Sequence, residues 1–275
     1  MEILSLLVYP FIACVLLIGI HAYFGVHVLE RGIIFVDLSM AQFIALGIAV
    51  SFLMGGHDAP HSHDFYAVVF AFIGALILSI SKRISRHVNI EAFIGVMYVF
   101  SLAASLMILD RTPHGLEEFE AILNGNILWV TKGELVKTAV LYGVIGLFHF
   151  IFRKRFFALS YEGKGGVLWE FLFFLSFALV LTSSVSMAGV LQVFSFLVIP
   201  ALIGKLFTKN PTKILIGGWA IGVCVSILCI AASYHFDIPT APLIVASLGV
   251  MFFTILGFKI LRDTYKRSGI NADDN

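Results

Sequence analysis

Charge is scarce in this sequence. Of its 275 residues, 13% are Asp, Glu, Lys or Arg and 60% are hydrophobic, whereas soluble domains carry about 25% and about 45–50%. A chain so poor in charge does not belong to the class of soluble enzymes or binding domains. Cysteine is also scarce: Cys14, Cys224 and Cys229 stand inside apolar runs, so they offer neither a disulfide framework nor a metal-finger spacing and read as small packing residues. No G-x-x-x-x-G-K-[ST] phosphate loop, no H-E-x-x-H and no G-x-S-x-G occurs, which leaves the chain without an ATP site of the P-loop kind or a common hydrolase signature. The basic residues form no stripe interleaved with aromatics, so nucleic acid is not an expected partner.

What the sequence does contain is a series of apolar runs near the roughly 20 residues needed to cross a bilayer. About nine stand out, at 3–25, 33–54, 65–82, 90–109, 134–152, 167–186, 189–207, 213–234 and 240–261, and a short or re-entrant segment would make the count eight or ten. The fold class is therefore all-α, a polytopic transmembrane bundle with one domain over 1–275 and a disordered tail expected from about residue 268. Met1-Glu2-Ile3 lacks the basic region of a cleavable signal, so the first run is expected to be a retained helix. All of the 18 basic residues except Arg111, Lys132 and Lys137 fall at alternate ends of the spans. Cytoplasmic loops are enriched in Lys and Arg, which puts the N-terminus outside and the C-terminus in the cytoplasm.

A few polar residues interrupt the apolar pattern. Asp37 lies about one turn inside the cytoplasmic edge of the second span, where a carboxylate is costly and is a functional candidate by default; it also reads as a helix-start acid or an ion partner for Arg31. Met40 lies on its helix face and Gln42 is rotated away by about 140°. Glu91 opens the fourth span and Asp237 stands beside a proline turn after the eighth. The outer loop Gly55–Asp64 gathers His57, Asp58, His61, His63 and Asp64, a donor set suited to zinc or a similar ion and equally compatible with an ordinary polar loop. A second outer loop carries Asp110, Glu117, Glu118 and Glu120, and Trp129 fits an interfacial anchor. Residues 153–166 are long enough for a short helix along the cytoplasmic surface. Ser183–Gly189 reads as a tight turn of small residues that lets backbones approach closely. Pro200 is expected to kink its helix, and Glu170, His21 and His149 are expected to be satisfied packing groups.

Four stretches in order, Glu30–Gln42, Leu123–Leu128, Gly189–Ala201 and Asp237–Thr240, resemble the permease subunits of bacterial zinc and manganese ABC importers. The resemblance implies the bundle of a type II ABC importer permease in the bacterial cytoplasmic (inner) membrane. It implies a second copy of the chain, a cytoplasmic ABC ATPase dimer that alone binds ATP, and an extracytoplasmic metal-binding protein that delivers the ion. Residues 153–166 resemble the segment that couples to the ATPase, with Arg155, Ser160, Tyr161, Glu162, Gly163 and Gly165 at the contact. The second helix of the family often carries an Asp and a His; here Asp37 is present and Met40 stands where His is usual. The implied cargo is a divalent metal, zinc first with manganese or iron next, passing Asp37, Met40, Gln42, Glu91 and Asp237, with Pro200 as a hinge. No cofactor is implied beyond the transported metal. Two other readings stay open: a permease for iron chelates or haem, and a stand-alone secondary transporter, which usually carries an internal repeat.

Overall fold

The computed structural model describes residues 2–54, 60–112, 115–125 and 127–273, and among these every regular element is helical. In chain order they are α1 (Glu2–Arg31), α2 (Val36–Leu53), α3 (Pro60–Ser79), α4 (Ser81–Ile84), α5 (Ile90–Leu109), α6 (Gly115–Asn124), a 3₁₀ turn (Ile127–Trp129), α7 (Lys132–Ile151), α8 (Arg153–Tyr161), α9 (Val167–Phe207), α10 (Pro211–Phe236) and α11 (Thr240–Asp273). Local signals set several starts. Asn89 accepts the Ala92 amide at 3.1 Å, Thr131 and Glu134 form a reciprocal capping box, and Asn210 caps α10 ahead of Pro211. Each satisfies amides that a helix start leaves without a partner.

Seven helices are long and apolar enough to cross a membrane, and Asp64–Ser79 is a shorter apolar helix. One of the seven, α9, has 41 residues. At a rise of 1.5 Å per residue it would be about 60 Å long, twice a hydrocarbon core. It is not one rod. Gly189 stands at φ 75°, ψ 161°, and both ends of α9 return to one end of α1: Glu170 pairs with Arg31, and Lys205 with Glu30. The element is a hairpin of two crossings with its apex at Gly189. Each of the nine expected stretches thus has a helix or half-helix of its own.

Only glycine fits that apex. A Cβ at Gly189 would lie 2.4 Å from the Asn124 carbonyl carbon and from the Gly125 nitrogen, and Gly125, itself at φ 62°, faces Ala188 and Gly189 equally closely. Two backbones touch where α6 ends and α9 turns, as the run of small residues led one to expect. The break in α9 is therefore at Gly189 and not at Pro200. Proline's fixed φ is itself helical and removes one hydrogen bond, whereas reversing the chain takes a positive φ. Pro200 is buried, with its ring close to Gly218.

The helices α1, α2 and α9 form the buried centre; α5, α7 and α10 lie further out, and α11 has the smallest buried share, most of its residues being half-buried or exposed. Phe24, Phe173, Phe174, Phe177 and Phe196 fill the core between α1 and the two halves of α9. At its far end α11 is helical to Asp273. Residues 262–273 are mostly Lys, Arg, Asp and other residues that a helix tolerates, with a single Gly and no Pro to stop it.

Candidate functional site

The end of the bundle where α1 stops holds a cluster of ions. Glu170, 1% exposed, pairs with Arg31 and with Lys82, the latter at 2.9 Å. Arg31 is also flanked by the rings of Phe173 and Phe174, each 4.9 Å from its guanidinium carbon. Burying a carboxylate costs several kcal/mol unless cations and hydrogen bonds compensate it; here two cations and a pair of aromatic faces do so. Lys82 donates as well to the Gly163 carbonyl at 3.1 Å, which joins α4 to the loop after α8. Arg31 is therefore not the partner of Asp37.

Helix α8 lies against this end, as the sequence led one to expect. Phe156, Leu159 and Ser160 face inward, while Arg153, Lys154 and Arg155 are exposed. The Phe156 ring stacks on His149 at 3.9 Å and Arg155 lies over Trp169. Ser160 Oγ is 2.8 Å from His27 Nδ1, which fastens α8 to α1. Tyr161 stacks on Phe157, and burial, with the Glu30 carboxylate nearby, pushes its phenol up to about 12. Glu162, Gly163 and Gly165 are exposed in the loop. Gly163, at φ 64°, turns the chain so that the Lys164 amide reaches the Ala158 carbonyl at 3.0 Å. A cavity of about 280 Å³ opens here beside Arg31, Lys82, Ser160 and Gly163.

A column of satisfied polar groups runs from α8 into the bundle. Ser176 Oγ donates to the Phe173 carbonyl at 2.9 Å and so accepts from His149 Nε2, 2.7 Å away, which leaves His149 Nδ1 to accept from the Tyr23 hydroxyl at 3.0 Å. One level further, His21 Nδ1 donates to the Leu17 carbonyl at 2.8 Å and Nε2 meets Ser184, which Tyr142 reaches at 2.7 Å. Thr138 and Ser183 complete the column at 3.1 Å. These residues join α1, α7 and the first half of α9. His21 and His149 find hydrogen-bond partners at both ring nitrogens, as expected, whereas Glu170 is held by its two ion pairs while its Oε1 and Arg31 Nη1 make no hydrogen bond among the described residues.

Helix α2 differs. Asp37 is 1% exposed and neither carboxylate oxygen has a hydrogen-bond partner among the described residues; Ser39 Oγ and Gln42 Oε1, also buried, have none there either. Met40 is fully buried with its thioether against Gly74 of α3, 2.9 Å from where a Cβ would stand. Glu91 lies near the same end: its Oε1 accepts the Ile34 amide at 2.5 Å, three residues ahead of Asp37, and its Oε2 is buried without a partner. Facing the α9 hairpin from α1 and α10 are Cys14 and Ser226; Gln192 Nε2 is 3.7 Å from Cys14 Sγ, while Gln192 Oε1 and Ser226 Oγ are unpartnered.

Asp237 is at the opposite end, exposed, at φ 52° as the C-cap of α10. It borders a cavity of about 400 Å³ with Trp129 and Pro239, so the structure does not bring Asp237 together with Asp37 and Glu91. Trp129 is 74% exposed, in keeping with an interfacial position. Asp64 is exposed, whereas His57, Asp58 and the side chains of His61 and His63 lie outside the described residues. Among the described residues no three His, Cys, Asp or Glu side chains gather into a metal-holding group. The ionic cluster was absent from the expected coupling set. One signal was available: Glu170 is the only acid between residues 167 and 207.

The comparisons with known proteins agree with one another. The chain is 25% identical over 257 residues to a Chlamydia muridarum protein named "Probable metal transport system membrane protein", covering 90% of this chain and 87% of that one. It is 26% identical over 222 residues to the manganese transport system membrane protein MntB of Synechocystis, covering 76% and 72%. Among solved structures its fold matches that of PsaBC from Streptococcus pneumoniae in complex with Fab, with a TM-score of 0.72 at 20% identity over 90% of this chain and 89% of that one. Residues 4–259 match the ABC 3 transport family from one end of the bundle to the other, and the chain belongs to that family.

Proposed function

We propose that this chain is the membrane-spanning permease of an ATP-driven importer for a divalent transition-metal ion. The observation that carries the reading is Asp37, a carboxylate buried in a membrane helix with both oxygens unpartnered among the described residues. Such a group is costly to keep unless it meets a cation in some state of the protein. ATP binding and hydrolysis belong to a separate pair of subunits docked on α8 and the loop to Gly166, and an external protein delivers the metal to the opposite end, near Asp237 and Trp129. In this arrangement the N-terminus is outside, and two copies of the chain enclose the pathway. The names of the relatives speak for manganese, and the oxygen donors of Asp37 and Glu91, with no imidazole or thiolate gathered beside them among the described residues, favour manganese over zinc. The ligands are few because a pathway has to release what it binds.

Uptake of radioactive manganese and zinc by cells carrying the complete transporter tests this. Asp37→Asn is expected to abolish uptake of the metal while the protein remains at its normal level in the membrane. Normal uptake by that variant removes Asp37 from the pathway.

A further inference from the structure

The last turns of α9 and the distal part of α11 enclose a groove of about 860 Å³ lined by Phe207, Ile255, Phe258, Lys259, Leu261, Arg262 and Tyr265. Ile255, Phe258, Lys259, Arg262 and Tyr265 recur at i, i+3, i+4, i+7 and i+10, which is one face of a helix. That face changes character along its length, apolar at Ile255 and Phe258 and cationic at Lys259 and Arg262. The apolar residues are bare: Phe207 is 70% exposed, Phe258 72% and Leu261 69%. The position of one of the two cations is defined. Lys259 Nζ donates to the Leu206 carbonyl at the end of α9, which spends one of its three donors and holds the ammonium at that depth. Among the described residues the acid paired with Arg262 is Asp263, 3.8 Å from Nε, a long contact on an exposed pair that neutralises little. Lys205 at the same end of α9 is taken up by Glu30, while Lys209 and Lys213 are exposed just beyond.

We propose that this groove is a binding site for one anionic phospholipid, with the headgroup phosphate between Lys259 and Arg262 and the acyl chains along Phe207, Ile255 and Phe258. The charge decides the occupant. A zwitterionic lipid fills the apolar half equally well but gains little from two cations, whereas juxtamembrane Lys and Arg attract anionic headgroups. The position agrees, because the face turns from apolar to basic where the apolar run of α11 gives out, at the level where a headgroup lies. The site is far from Asp37 along the chain and does not depend on which ion is carried.

Native mass spectrometry of the purified full-length chain, titrated with phosphatidylglycerol or with phosphatidylcholine of the same acyl composition, tests the proposal. The wild type is expected to retain one phosphatidylglycerol through detergent removal in preference to phosphatidylcholine. Lys259→Gln with Arg262→Gln should lower that retention roughly tenfold. Arg262→Lys should largely keep it, and Lys137→Gln, an exposed cation on α7, should leave it unchanged. Equal retention of the two lipids overturns the proposal, and so does undiminished phosphatidylglycerol binding by the double variant. A groove occupied by a second copy of the chain also overturns it, and would be seen as a dimer that added lipid does not dissociate and that the double variant loses.

Discussion

Glu170 and Asp37 are both carboxylates, each 1% exposed within a helix of the bundle, yet they are provided for in opposite ways. Glu170 has Arg31 and Lys82, and Arg31 in turn lies against two aromatic rings. Asp37 has no hydrogen-bond partner for either oxygen among the described residues. A carboxylate neutralised from two sides is part of what holds the helices in place. One left bare in the same bundle costs stability unless a cation meets it, which is the ground of the role proposed for Asp37. The two groups lie near one end of the bundle and differ in their partners: the ion cluster fastens α1, α4, α9 and the α8 loop, while α2 carries buried polar atoms with no hydrogen-bond partner among the described residues.

The contrast can be broken at several points. Glu170→Gln removes the charge but keeps the shape, stranding the half-sandwiched Arg31; a loss of about 3–5 kcal/mol is expected, read as a drop in thermal unfolding temperature of the purified protein. If Glu170→Gln unfolds like the wild type, the cluster is not structural. Gly189→Ala combines a backbone strained at positive φ with a Cβ driven into Asn124, and about 3 kcal/mol of destabilisation is expected; a shift within measurement error would mean that the hairpin apex rearranges freely. Ser160→Ala loses one buried hydrogen bond to His27, worth about 1 kcal/mol. Because that bond is where α8 is tied to α1, stimulation of the partner ATPase should fall further than unfolding temperature does, and parallel losses would reduce Ser160 to a packing residue. The smallest stability effect belongs to Asp37→Asn, with unfolding unchanged or slightly improved while metal uptake disappears. A large destabilisation there would place Asp37 beside Glu170 as a structural group.

Much of the architecture was legible before the structure. The nine apolar runs, the turn of small residues ending at Gly189 and the surface helix within 153–166 each follow from composition and length, because a bilayer admits few backbone solutions. Asp37 was legible for the same reason, as a charge where charge is rare. The interlock of Gly125 with Gly189 was not, since both are simply glycines in sequence and only their meeting across 64 residues explains them. Pro200 drew attention as a hinge because proline is a familiar helix breaker, yet the chain reverses at a glycine. Asp237 looked like a companion of Asp37 by residue type, and the fold puts them at opposite ends.

By itself, the amino-acid sequence determined that this is a membrane bundle and which few positions carry charge inside it, since each of these depends on the hydrophobicity of a contiguous stretch. Only the tertiary structure decided which charges are answered. Arg31 meets Glu170 across 139 residues, and whether a buried carboxylate finds a cation depends on how distant helices are arranged around it, which no local pattern records.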